Sequence, residues 1–83
     1  MSRDVKRVMN GLRRYADPPS SFEVRSNKHY RVSWEMTTVD GDKVNVQTTL
    51  SMSPKGNYWM DNHKRQLEQK FRELNISTEV NHI

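Results

Sequence analysis

Between Tyr30 and Leu50 apolar and polar residues alternate on both sides of Val39-Asp40-Gly41, and this alternation constrains the fold more than any other feature of the chain. Tyr30, Val32, Trp34 and Met36 alternate with Arg31, Ser33 and Glu35, and Val44, Val46, Thr48 and Leu50 alternate with Asn45, Gln47 and Thr49. Period two is the signature of strands with one covered face and one open face. A loop of Val39-Asp40-Gly41, with Gly41 in the left-handed position of a bulge, pairs Met36 with Val44, Trp34 with Val46 and Val32 with Thr48. A shorter Asp-Gly turn would set Met36 against Asn45 and mix the faces, as any one-residue slip does. The hairpin register is therefore expected from the pattern alone.

The same period extends upstream. Phe22 and Val24 alternate with Glu23 and Arg25, and a Ser26-Asn27-Lys28 loop is expected to pair Arg25 with His29, Val24 with Tyr30 and Glu23 with Arg31. The expected sheet is a three-stranded antiparallel meander.

On either side the period becomes helical. Val5, Val8, Met9 and Leu12 form one stripe, Ser2 is placed to cap it, and Pro18-Pro19 ends the helix by about Ala16. Met60, His63, Leu67, Phe71 and Leu74 form a second stripe over residues 58–74, with Asn57 as its expected cap and Asn75 as its stop. Residues 76–83 form a tail that Ile76, Val80 and Ile83 either anchor or leave to fray. One arrangement buries every apolar face: an α+β, α-β-β-β-α two-layer sandwich over 1–83, with both helices on the same side of the sheet.

Charge and residue types narrow the function. Lys plus Arg number 14 against 10 acidic residues, giving +4 and a pI near 9.7, a bias towards polyanions. There is no cysteine, so disulfides and thiolate metal sites are excluded. The three histidines are scattered, and neither a metal nor another cofactor is expected. No apolar run approaches the ~18 residues of a membrane helix, and the first residues lack a secretory core, which points to the cytoplasm. Trp34 and Trp59 are expected in the core, and Tyr15 and Tyr58 are the freer aromatics for contact with bases or a partner.

On the open face, Arg25, His29 and Arg31 stand near one end, with His29 facing Ser51, Arg31 facing Thr49 and Ser33 facing Gln47. Arginines hold phosphate, and an imidazole can take a proton from a ribose hydroxyl that then attacks the adjacent phosphate. A metal-independent endoribonuclease with His29 as base is thus one reading, and a polar strand histidine with no chemistry is the other. A pure nucleic-acid binder, with RNA favoured over DNA, would use Arg3, Lys6, Arg7, Arg13 and Arg14 of the first helix, with Arg25, Lys28, Arg31, Lys55, Lys64 and Arg65. A third reading is a small phage or mobile-element protein that binds and inhibits a host protein, because the sheet edges are open to strand addition or to a homodimer.

The α-β-β-β-α order resembles the double-stranded RNA-binding-domain fold. Within it, Phe22-Glu23-Val24-Arg25-Ser26-Asn27-Lys28-His29-Tyr30-Arg31 resembles the first hairpin of HicA-type mRNA interferase toxins, and Lys70-Phe71-Arg72-Glu73-Leu74-Asn75-Ile76-Ser77 is similar to that family's closing helix and turn. The resemblance implies a ribosome-independent RNase with His29 as catalytic residue and an antitoxin as protein partner.

Overall fold

The computed structural model describes residues 2–56 and 58–81. The elements run α1 (Arg3–Arg13), β1 (Glu23–Ser26), β2 (His29–Thr37), β3 (Lys43–Ser51) and α2 (Trp59–Glu73), with a short 3-10 turn at Pro19–Ser21. The fold is α+β, a three-stranded antiparallel sheet in order β1-β2-β3 with both helices on one side. No helix among the described residues is long and apolar enough to cross a membrane.

Both helical stripes reach the core. Val5, Val8, Met9 and Leu12 of α1 are buried with Leu67 and Phe71 of α2, against Val32, Trp34, Met36, Val46 and Leu50 of the sheet. Ser2 caps α1, its Oγ accepting from the Val5 amide at 3.2 Å. The helix ends at Arg13, ahead of the prolines, and Tyr15 and Ala16 beyond it are buried. Asn57, the expected cap of α2, lies outside the described residues, as do His82 and Ile83 of the tail. Asn75 stops α2 in the left-handed region at φ 64°, and the Ile76 amide donates to the Phe71 carbonyl at 2.8 Å. Ile76 and Val80 are buried, and the Asn81 amide donates to the Tyr15 hydroxyl at 2.8 Å.

The second hairpin has the expected register, with Trp34 opposite Val46 and Met36 opposite Val44. The Thr38 amide donates to the Asp42 carbonyl at 2.8 Å, and Gly41 sits at φ +88°. A Cβ on Gly41 would meet nothing within 4 Å, so only the backbone conformation resists a side chain there. Gly41→Ala is expected to cost about 1 kcal/mol. With a urea slope near 1 kcal/mol/M, the unfolding midpoint falls by about 1 M.

The first hairpin differs from expectation. Its turn lies one residue further along, so Arg25 pairs with Arg31, Val24 with Val32, Glu23 with Ser33 and Ser26 with Tyr30. The faces are unchanged, because a shift of two in the pairing preserves side-chain parity, and the apolar pattern resists only odd shifts. β1 has four residues, all exposed, and its one apolar residue, Val24, is 38% exposed, so little packing selects the register. Phe22 precedes the strand, half-buried, with its ring stacked on Trp34 at 6.3 Å.

β1 is too short to cover β2, and the loop after α1 completes that edge. The Asp17 amide donates to the Glu35 carbonyl at 2.9 Å, and the Glu35 amide donates to Ser21 Oγ at 3.0 Å. Lys43 Nζ donates to the Asp17 carbonyl at 2.7 Å and lies 3.4 Å from its carboxylate. Backbone groups beyond the end of β1 are thereby satisfied without another strand.

Candidate nucleic-acid interface

Alternation along the strands leaves every odd-numbered side chain from Glu23 to Ser51 in the sheet on the face away from the helices. That face carries Glu23 and Arg25 from β1, His29, Arg31, Ser33, Glu35 and Thr37 from β2, and Lys43, Asn45, Gln47, Thr49 and Ser51 from β3, Lys43 being held by Asp17. Among the described residues it holds no Phe, Tyr or Trp. The face is a lattice of hydroxyl, amide and charged groups without a stacking platform.

Its electrostatic centre is the pairing that the first hairpin creates. Arg25 and Arg31 are directly opposite in register, which sets their Cβ atoms about 5 Å apart. Arg25 Nε donates to Glu23 Oε1 at 3.0 Å, within its own strand. Both partners are more than half exposed, so that ion pair contributes no more than about 1 kcal/mol. Arg31 has no ion pair with any described residue. The expected Glu23–Arg31 pair is not formed, because Glu23 stands opposite Ser33. Glu23, Arg25, Arg31, Ser33, Asn45 and Gln47 enclose a shallow concavity of about 260 Å³. Two opposed guanidinium groups over a hydrogen-bonding floor form a receptor for phosphate oxygens.

His29 is exposed at the end of the same face, opposite Ser51 and two residues from Arg31. Its imidazole has no hydrogen bond to a described residue. His63 is on the other side of the sheet, 5% exposed, with Nε2 2.9 Å from Thr48 Oγ1. The two histidines are therefore separated by the sheet, and among the described residues the open face supplies one imidazole for proton transfer. No group of three or more His, Asp or Glu among the described residues is placed to hold a metal.

The remaining cations do not join this cluster. Arg3, Lys6, Arg7, Arg13 and Arg14 are exposed on and just after α1, and Lys64 and Arg65 on α2, in the layer behind the sheet. Arg13 is engaged, its guanidinium 5.1 Å from the centroid of the Phe22 ring. Lys28 in the first turn and Lys55 before α2 are exposed at the periphery. The eleven cations assigned to binding from sequence thus divide among the open face, the helical layer and the periphery, and Arg25 with Arg31 is the pair that the backbone holds side by side.

Tyr15 is not free for a ligand. It is 8% exposed, stacked on Trp34 at 6.3 Å and edge-on to Phe71 at 5.5 Å. The signal was present: Tyr15 and Ala16 continue the stripe through Val8 and Leu12 at helical spacing. Tyr58, by contrast, is 74% exposed. Sequence reasoning missed Lys70, whose ammonium reaches the Gln47 carbonyl across the outer edge of β3. Comparison with protein-family models, with curated proteins and with solved structures returns no match.

Proposed function

We propose that this domain binds nucleic acid, RNA in preference to DNA, by gripping backbone phosphate on the open face of the sheet. The observation that carries the reading is the Arg25–Arg31 juxtaposition. Like charges directly opposite in a sheet destabilise it by about 0.2–1 kcal/mol, and a phosphate between them reverses the sign of that interaction. The preference for RNA rests on the flanking groups. Ser33, Asn45, Gln47 and Thr49 offer donors and acceptors to a ribose 2′-hydroxyl, the group that distinguishes RNA from DNA at such a site. The lack of an aromatic platform argues for recognition of backbone and shape over stacking of splayed bases. The α-β-β-β-α order and its resemblance to double-stranded RNA-binding domains and HicA-type toxins agree with an RNA ligand.

Binding is favoured over cleavage because cyclising attack of a 2′-hydroxyl on phosphate needs a base and an acid, and among the described residues His29 has no second imidazole on its face of the sheet, His63 being buried on the other. The test is fluorescence anisotropy with labelled single-stranded RNA, double-stranded RNA and duplex DNA, without metal, across a salt series. Affinity is expected to fall with salt with a log–log slope of roughly −2 to −4, corresponding to a few phosphate contacts. RNA is expected to bind more tightly than DNA and to remain intact, and His29→Ala is expected to bind within about twofold of wild type. Cleavage by wild type and not by His29→Ala would convert the reading to an RNase with His29 as base. Salt-insensitive affinity, or no binding at low salt, would remove it.

A further inference from the structure

The outer edge of β3 is nine residues long and no strand or loop among the described residues pairs with it. Which of its backbone groups face outward follows from two bonds. The Asp42 carbonyl accepts from the Thr38 amide, so even-numbered residues of β3 bond towards β2. Lys70 Nζ reaches the Gln47 carbonyl from outside, which fixes the odd-numbered set as outward. Lys43, Asn45, Thr49 and Ser51 therefore present N–H and C=O groups with no partner among the described residues. They repeat every second residue, about 6.8 Å apart, the spacing that an extended peptide complements.

Two adjoining concavities of about 400 and 460 Å³ run along this edge beside α2, sharing Thr49 and Gln66. Their charged lining residues are Arg31, Lys70 and Lys55, and no acidic residue lines either one. We infer that the β3 edge is a docking site for an extended, acidic segment of a protein partner, which adds a fourth strand to the sheet. The backbone row supplies pairing, and the three cations supply the preference for Asp and Glu side chains. Lys70 holds the site closed when it is empty, as lysines guard exposed sheet edges elsewhere. An incoming carboxylate releases the Gln47 carbonyl by taking the ammonium.

Other occupants fit less well. A second copy paired through β3 would bring its own Lys70 and Arg31 against these cations with no acid between them. A nucleic-acid backbone can use the charges but lacks the alternating amide donors and acceptors. The β1 edge has four residues. This inference shares Arg31 with the proposed phosphate site, but the backbone row of β3, Lys70 and Lys55 lie outside that site.

The test is amide exchange by NMR on the full chain, with a blocked peptide of about eight residues alternating threonine and glutamate, a length that spans most of β3. At about ten times its dissociation constant, exchange at Asn45, Gln47 and Thr49 is expected to slow about tenfold, because exchange then requires the unbound fraction. Val46 and Thr48, already turned towards β2, are expected to be unchanged. Lys70→Glu, at a half-buried position of α2, is expected to weaken the peptide at least tenfold. Unchanged exchange at the three amides, equal protection by a threonine–lysine peptide, or an unaffected Lys70→Glu overturns the inference. So does protection by oligouridylate in place of the peptide, or a peptide-free dimer in which the same amides are already protected.

Discussion

Trp34→Ala is expected to leave the chain largely unfolded at 37 °C. Trp34 is fully buried opposite Val46, and its ring is flanked by Tyr15 and Phe22, each at a centroid distance of 6.3 Å. Removing a buried tryptophan costs about 3–5 kcal/mol through lost transfer energy and the cavity left behind. A chain of 83 residues has roughly 4–12 kcal/mol in total, and its small size places it towards the low end. The expected fall in Tm is about 15–30 °C. Trp34→Phe separates ring packing from the polar handle. Trp34 Nε1 is buried without a hydrogen-bond partner among the described residues, and an unsatisfied buried donor costs about 1–3 kcal/mol. Phenylalanine deletes that donor as it deletes volume, so the two terms oppose. Its urea midpoint is expected within about 1 M of wild type. A loss as large as that of Trp34→Ala would show that the indole N–H is satisfied in solution.

The parts of this fold that were legible are those where a one-residue error has a large cost. In the second hairpin, slipping one residue would turn Trp34 and Val46 out to water, so alternation alone specifies the pairing, and with it the neighbours of His29, Arg31 and Ser33 on β3. The helical stripes were legible for the same reason. The first hairpin was not, because pairings that differ by two bury the same residues and β1 has only Val24 to bury. That ambiguity concealed the feature that matters most for the site. A shift of two replaced an expected Glu23–Arg31 attraction by an Arg25–Arg31 confrontation. Tyr15 was misplaced by ending the apolar stripe at Leu12 when Tyr15 and Ala16 continue it at helical spacing, and Lys70 was invisible because its partner is a backbone carbonyl on another element. Long-range side-chain contacts to the main chain leave no trace in period or composition.

The Arg25–Arg31 pair yields the sharpest functional prediction, because stability and binding are expected to move in opposite directions. Arg31 has no acidic partner among the described residues and faces Arg25, so Arg31→Gln removes a repulsion and is expected to leave stability unchanged or raised by a few tenths of a kcal/mol, read as a slightly higher urea midpoint. Each charge-assisted hydrogen bond to phosphate contributes about 1.5–3 kcal/mol, so the same change is expected to weaken RNA binding by about ten- to a hundredfold. Arg25→Gln with Arg31→Gln is expected to weaken it by a hundredfold or more at low salt, and to reduce the magnitude of the log–log salt slope by about 1.4–1.8, two phosphates' worth. Lys6→Gln with Arg7→Gln removes the same charge from α1, on the opposite surface, and is expected to change affinity by only a few-fold, through long-range attraction that added salt screens. Anisotropy titrations of the two double variants across a salt series, beside urea unfolding of Arg31→Gln, read every term. If the α1 variant loses the slope and the sheet variant keeps it, the interface lies on the helices, in the manner of a duplex-binding domain. The opposed arginines would then be a cost that the fold carries for some other anion.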